Sequence, residues 1–268
     1  MYILASKSGI LTGKRLARKL GLNFHTDISK LNKNNSIIIR YGNAQDSSNI
    51  KEDTESNSRE AIIKCSNKHK LWKYLEDSEI LTPRYFLPNE WQEIIEKGFP
   101  ILARSREHKS GQDITICNSE DEIPTNTKYL VPFYNDIIRE YRVHVAFNEV
   151  IKIMRKYPID DESHPVIKTS HFGWQYKLSK LDRIKCAKSM TKTALEVAEI
   201  LGLNFCGIDM AWSSRKRGLG RWIVWEVNSA PSLNSASLEI YAKLFQEKLL
   251  AGREDYEVYK SKQNNVRN

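Results

Sequence analysis

No apolar run in the chain approaches the roughly 18 residues a membrane span needs, so no segment is expected to cross a bilayer. Tyr2 to Leu11 carries only a short apolar piece broken by Lys7, which is not the layout of a secretory signal. Cysteine is scarce. Cys65, Cys117, Cys186 and Cys206 are scattered, without the close pairs that hold zinc or frame a disulfide-rich fold. A reduced, cytoplasmic setting is the expectation, with the thiols as small packing groups. There is no internal repeat, no low-complexity tract and no phosphate-loop pattern, since Ser6-Lys7-Ser8-Gly9 matches none. Long blocks of one charge are missing too. The net charge of +9 is spread among interleaved acids and bases, which suits nucleotides or acidic proteins and does not favour nucleic acid.

What the chain does have is 268 residues, 40% of them hydrophobic, enough for one large or two small domains with a real core. The most informative stretch comes late. Cys206-Gly207-Ile208-Asp209-Met210 and Arg221 to Asn228 are short, rich in Val, Ile and Trp, and bounded by Gly, Ser and Pro, the composition of buried strands. The linker from Ser213 to Gly220 holds turn residues and charges, which predicts a hairpin. Side chains alternate along a strand, so Glu226 and Asn228 share a face and Val227 points away. A carboxylate and an amide on such a strand are costly to bury without a partner. Joined by Asp209 from the neighbouring strand, they form a set of hard oxygen ligands suited to Mg²⁺ bound with substrate phosphates.

Earlier segments fit around this hairpin. Tyr2 to Ala5, Asn23 to Asp27 and Ser36 to Arg40 read as strands, with a basic helix from Lys14 to Leu20 ended by Gly21, so the first 60 residues make a small α/β unit. Asn43 to Glu60 reads as a polar surface loop. A helix is expected over Asn67 to Glu76 with Ser66 as its N-cap, another over Asn89 to Lys97, and the clearest over Ser179 to Leu201. Ile137 to Phe147 and Val150 to Tyr157 predict a long hairpin in which Glu140, Arg142 and His144 share one face. Ser235 to Leu250 closes the fold as a helix, and Ala251 to Asn268 reads as a loose tail.

The Asp strand, the Glu-x-Asn strand and the loop Ser229-Ala230-Pro231-Ser232-Leu233 together resemble the metal-binding end of the ATP-grasp superfamily. The likeness is to ribosomal-protein glutamate ligases, D-alanine–D-alanine ligases and glutathione synthetases, and it covers about Arg59 to Leu250. It implies an α/β (α+β) fold in which two subdomains, 61–133 and 134–250, grip ATP behind the small N-terminal domain. It also implies roles. Asp209, Glu226 and Asn228 would hold Mg²⁺, as two ions, with Mn²⁺ as a substitute. Lys68, early in its helix, would reach a nucleotide phosphate. Arg104, ending the strand Phe99 to Ala103 where the family has Lys, would pair with phosphate as a fork, and Lys109 would sit in a flap spanning Arg106 to Gly111. Val131-Pro132-Phe133 would be the hinge that meets the adenine edge through its backbone. Arg142 would hold a substrate carboxylate or phosphate, and either Arg155 or Lys156 would face phosphate, a choice left open. His171, in the segment Pro158 to Lys177, is a further candidate beside the acceptor.

The reaction implied is ATP-dependent joining of a carboxylate to an amine through an acyl phosphate, with an amino acid, a peptide or a protein tail as substrate. Two alternatives stand beside it: an ATP-binding protein of this fold without turnover, and a modifier of an acidic protein or a nucleic acid. A homodimer is the expectation from relatives.

Overall fold

The computed structural model describes residues 1–31, 36–46, 52–105, 113–181, 184, 186–214 and 220–252. The elements, in chain order, are β1 (Tyr2–Ala5), α1 (Ile10–Leu20), β2 (Asn23–His25), β3 (Ser36–Tyr41), β4 (Glu52–Ser56), α2 (Arg59–Ser66), α3 (Lys68–Glu76), α4 (Trp91–Ile95), β5 (Ile101–Arg104), β6 (Ile114–Cys117), β7 (Tyr129–Pro132), β8 (Ile137–Ala146), β9 (Glu149–Pro158), β10 (Trp174–Leu178), α5 (Ala187–Leu201), β11 (Phe205–Ser213), β12 (Arg221–Asn228) and α6 (Ser235–Phe245). The strands form three sheets: β2-β1-β3-β4, all parallel; β6-β5-β7, antiparallel; and the large antiparallel sheet β10-β9-β8-β11-β12. This is the mixed helix-and-strand architecture expected. No described helix is long and apolar enough to cross a membrane.

The large sheet packs one face on α5. Tyr141, Val143, Val145, Ile153, Ile208, Met210, Val224 and Val227 are buried against Met190, Ala194, Val197, Ala198 and Leu201. Each of the Val, Ile, Leu and Met side chains among them contributes about 1.5–3 kcal/mol on burial, so this layer fixes the sheet. A second core joins the parallel sheet to the large one: Ile3, Leu16, Ile39 and Tyr41 pack with Ala146, Phe205, Leu233, Tyr241 and Phe245. Tyr41 donates its hydroxyl proton to the Pro231 carbonyl, and Arg15 Nη1 donates to Leu233 O at 2.9 Å. The loop after β12 is thereby clasped by β3 and α1 of the N-terminal unit.

Several expectations shift. The polar stretch 43–60 is not all loop: residues 52–56 extend the parallel sheet as β4, and Ser56 and Asn57 are buried. Asn57 earns that place by bonding both Phe205 O (2.8 Å) and Phe205 N (3.1 Å). Ser66 ends α2, and Asn67 caps α3 by accepting from Lys70 N at 3.1 Å. The helix expected from Ser179 starts at Ala187, behind a left-handed Cys186 (φ 66°). The proposed flap, with Lys109, and the tail from 253 lie outside the described residues.

Candidate active site

The face of the large sheet turned away from α5 is polar, and its side chains meet in rows set by strand register. Asp209 on β11 lies opposite Glu226 on β12 and opposite Arg142 on β8. Gly207, two residues back, lies opposite Asn228 and His144. Alternation therefore puts Asp209, Glu226 and Asn228 on one face. Gly207 leaves room for its neighbours: a Cβ there would meet the Pro231 Cβ at 2.9 Å and the Arg142 stem at 3.5 Å.

The charges are paired. Arg142 grips Asp209 with two hydrogen bonds, Nε to Oδ1 at 2.6 Å and Nη2 to Oδ2 at 2.8 Å, and the Tyr176 hydroxyl donates to Oδ2 at 3.2 Å. Burial opposes ionisation of Asp209, but the Arg142 guanidinium outweighs it and holds the carboxyl below its usual range. Lys68, at the start of α3, places Nζ 3.0 Å from Glu226 Oε2. Lys156 bonds Glu140 at 2.8 Å and Lys168 reaches the same carboxylate at 3.2 Å. Both Arg142 and Lys156 stand over the Tyr176 ring, at 4.6 and 5.7 Å from its centroid. Burial and the Asp209 carboxylate push the Tyr176 hydroxyl up, so it stays protonated and can donate.

Each candidate residue has a defined place. Lys156 lies on the polar face, bonded across from Tyr176, whereas Arg155 pairs with Tyr141 and turns to the α5 side, over the Tyr157 ring at 4.6 Å. Of the two cations left open by the sequence, Lys156 shares the face of Arg142 and Asp209 and Arg155 lies on the opposite face, because neighbouring strand residues point to opposite sides. Arg104 ends β5, nearly buried, with Asp113 at 3.2 Å. Val131 is buried in β7, Pro132 ends that strand, and Phe133 follows it half-buried. Next to them Tyr134 meets the Trp225 ring edge-on, 5.6 Å between centroids. His171 is exposed on a short turn, edge-on to Phe172.

Two buried groups on this face were not among the candidate site residues. His144 has no exposure, shares a hydrogen bond of 3.0 Å with Tyr241 on α6, and is pushed down to about 3 by burial and by the Arg142 and Lys152 charges. Lys152 donates to Ser237 Oγ at 2.6 Å and Asn234 Oδ1 at 3.1 Å. Alternation alone places both on this face; their partners on α6 could not be read without the fold.

The donor set fits a hard divalent cation. Two carboxylates and one amide lie on adjacent strands of one face, and the Asn228 Nδ2 is buried without a hydrogen bond. No cluster of three or more His, Cys, Asp or Glu groups that could hold a metal ion is found among the described residues.

Residues 65–249 match the model of the RimK-like ATP-grasp domain, more than half of the chain. The chain belongs to the RimK-like ATP-grasp family. Solved structures with the same fold include the D-alanine–D-alanine ligase of Bacillus anthracis complexed with ATP, with a TM-score of 0.61, 16% identity and 97% of each chain covered. The ATP-grasp ligase PsnB complexed with a minimal precursor also has a TM-score of 0.61, at 11% identity, covering 88% of this chain and 92% of that one. An uncharacterised protein of Mycoplasma genitalium, MG011, is 30% identical over 101 residues, a match spanning 35% of this chain and 34% of that protein. On the polar face of this chain Asp209, Glu226 and Asn228 lie together with Lys68, Arg142 and Lys156 around them.

Proposed function

We propose that this protein is a Mg²⁺- and ATP-dependent ligase that joins a carboxylate to an amine, with an amino acid, a peptide or a protein tail as substrate. The observation that carries the reading is the row Arg142–Asp209–Glu226 with Asn228 beside it, in a chain of the RimK-like ATP-grasp family. The similarity in fold to a D-alanine–D-alanine ligase and to an ATP-grasp ligase complexed with a minimal precursor is consistent with this reading.

In this reading Asp209, Glu226 and Asn228 hold Mg²⁺. When bound, the ion supplies charge neutralisation at the nucleotide phosphates. The chain's own side chains do the rest. Two anions at 4 Å repel by about 4 kcal/mol at an effective dielectric near 20, and the cations Lys68, Arg142 and Lys156 offset that term. Arg142 holds the Asp209 carboxylate as a fork, and the Tyr176 hydroxyl donates to the same carboxylate, so both fix the orientation of this ligand. The backbone at the end of β7, from Val131 to Phe133, would meet the base edge. The carboxylate oxygen attacks the terminal phosphorus, ADP leaves, and an amine then displaces phosphate from the acyl phosphate with loss of its proton.

Incubation with ATP, Mg²⁺, hydroxylamine and pooled carboxylates tests this. A hydroxamate is expected, and Glu226→Gln is expected to lose it by at least about a hundredfold with the fold retained. Full activity in that variant would remove the site assignment. A second reading, nucleotide binding without turnover, is favoured by one feature: the Arg104 guanidinium is already matched by Asp113. Tight Mg-ATP binding with no hydroxamate from any carboxylate would select it.

A further inference from the structure

The two side chains that tie α3 to β12 land on consecutive residues. Lys68, the first residue of α3, meets Glu226 at 3.0 Å. Trp72, one turn later and so on the same side of the helix, donates its indole N–H to the Trp225 carbonyl oxygen at 3.1 Å. That carbonyl is special in the sheet. Asp209 pairs with Glu226 but Met210 pairs with Val224, so Trp225 is the extra residue of a β-bulge with no partner across β11. Bulges re-aim the side chains beside them, and here the side chain beside it is the Glu226 carboxylate. Trp72 is itself held: it is 1% exposed, edge-on to Tyr129 at 6.0 Å and tilted against Tyr85 at 5.7 Å.

We propose that Trp72 is a positioning residue of the active site, whose indole N–H pins the bulge at Trp225 and thereby sets the distance between Lys68 and the Glu226 carboxylate. The proposal rests on the nucleotide-binding reading given above. A Trp that served only as packing would act through its ring, and its N–H would be interchangeable with any other buried hydrogen bond. The molecule contains a matched control. Trp222 is 6% exposed and donates Nε1 to Ser189 Oγ at 3.1 Å, on the α5 side of the same strand.

The experiment compares Trp72→Phe with Trp222→Phe, each keeping an aromatic ring and deleting one donor. Stability is read by urea unfolding and affinity by calorimetric titration with ATP and Mg²⁺. Both variants are expected to lose comparable stability. Only Trp72→Phe is expected to weaken Mg-ATP binding, by about fivefold, the worth of one hydrogen bond. Lys68→Met is expected to cost several-fold in the wild-type chain and clearly less in Trp72→Phe, because the lysine there is already out of register. Should Trp72→Phe fail to fold, the wild-type indole N–H resonances are followed during titration, and the Trp72 signal is expected to shift while the Trp222 signal stays. Unchanged affinity in Trp72→Phe, effects that simply multiply, or a Trp72 signal that does not move would each overturn the proposal alone. A wild-type chain that binds no Mg-ATP would overturn the nucleotide reading and this proposal with it.

Discussion

The two faces of the five-stranded sheet are built from alternate residues of the same strands, yet they obey different rules. The face on α5 is largely apolar and closes around Val143, Ile208 and Met210, with Arg155 at its margin. The other face carries Glu140, Arg142, His144, Lys152, Lys156, Asp209 and Glu226, most of them little exposed. Taking such charges from water costs several kcal/mol each unless partners are well placed. The first face accounts for stability; the second is stable only as a network, and it is the network that offers chemistry.

That contrast can be broken from either side. The largest effect is expected on the polar face. Arg142→Met leaves the Asp209 carboxylate buried and unpaired, a loss of about 3–5 kcal/mol in urea unfolding, and Asp209→Asn in the same chain should return part of it. If the single variant is as stable as the parent, the network is not what holds this face. On the apolar side Ile208→Ala, at a position with no exposure, should cost about 2–5 kcal/mol and leave nucleotide affinity nearly unchanged. The smallest effect is a slope against pH. His144 is held neutral down to about 3 in the fold, against 6.5 as its ordinary value. The unfolded chain binds that proton first, so stability falls as pH drops through this window, by at most about 1.4 kcal/mol per unit. Unfolding midpoints at about pH 7 and about pH 5 should differ less in His144→Gln than in the parent. An equal slope in both would place the acid sensitivity elsewhere.

The sequence makes some of this legible and hides the rest for physical reasons. Asp209, Glu226 and Asn228 can be grouped in advance because a hairpin and strand alternation fix their relation locally. Glu140, Arg142 and His144 fall on one face for the same reason. Tyr176 is hidden, because its contact with Asp209 spans three sheet neighbours whose order no local pattern states. Choosing between Arg155 and Lys156 needs the register with Tyr141, which the pattern of β9 alone leaves open. The strand Glu52–Ser56 is hidden by its polar composition; pairing with β3 overrides a weak local preference. Trp72 reads from the sequence as an ordinary apolar helix position, and only the bulge opposite reveals what its N–H does.

The second core has a consequence for how this molecule can be handled. Phe205, Tyr241 and Phe245 rest on Ile3, Leu16 and Tyr41, and Asn57 reaches back to cap Phe205 through its backbone. Trimming away the opening 57 residues would bare three aromatic rings and orphan a strand end at once. The amino-terminal sheet is thus a plug for the rest of the protein's greasy flank, and any shortened version would have to refill that hole before it stayed in solution.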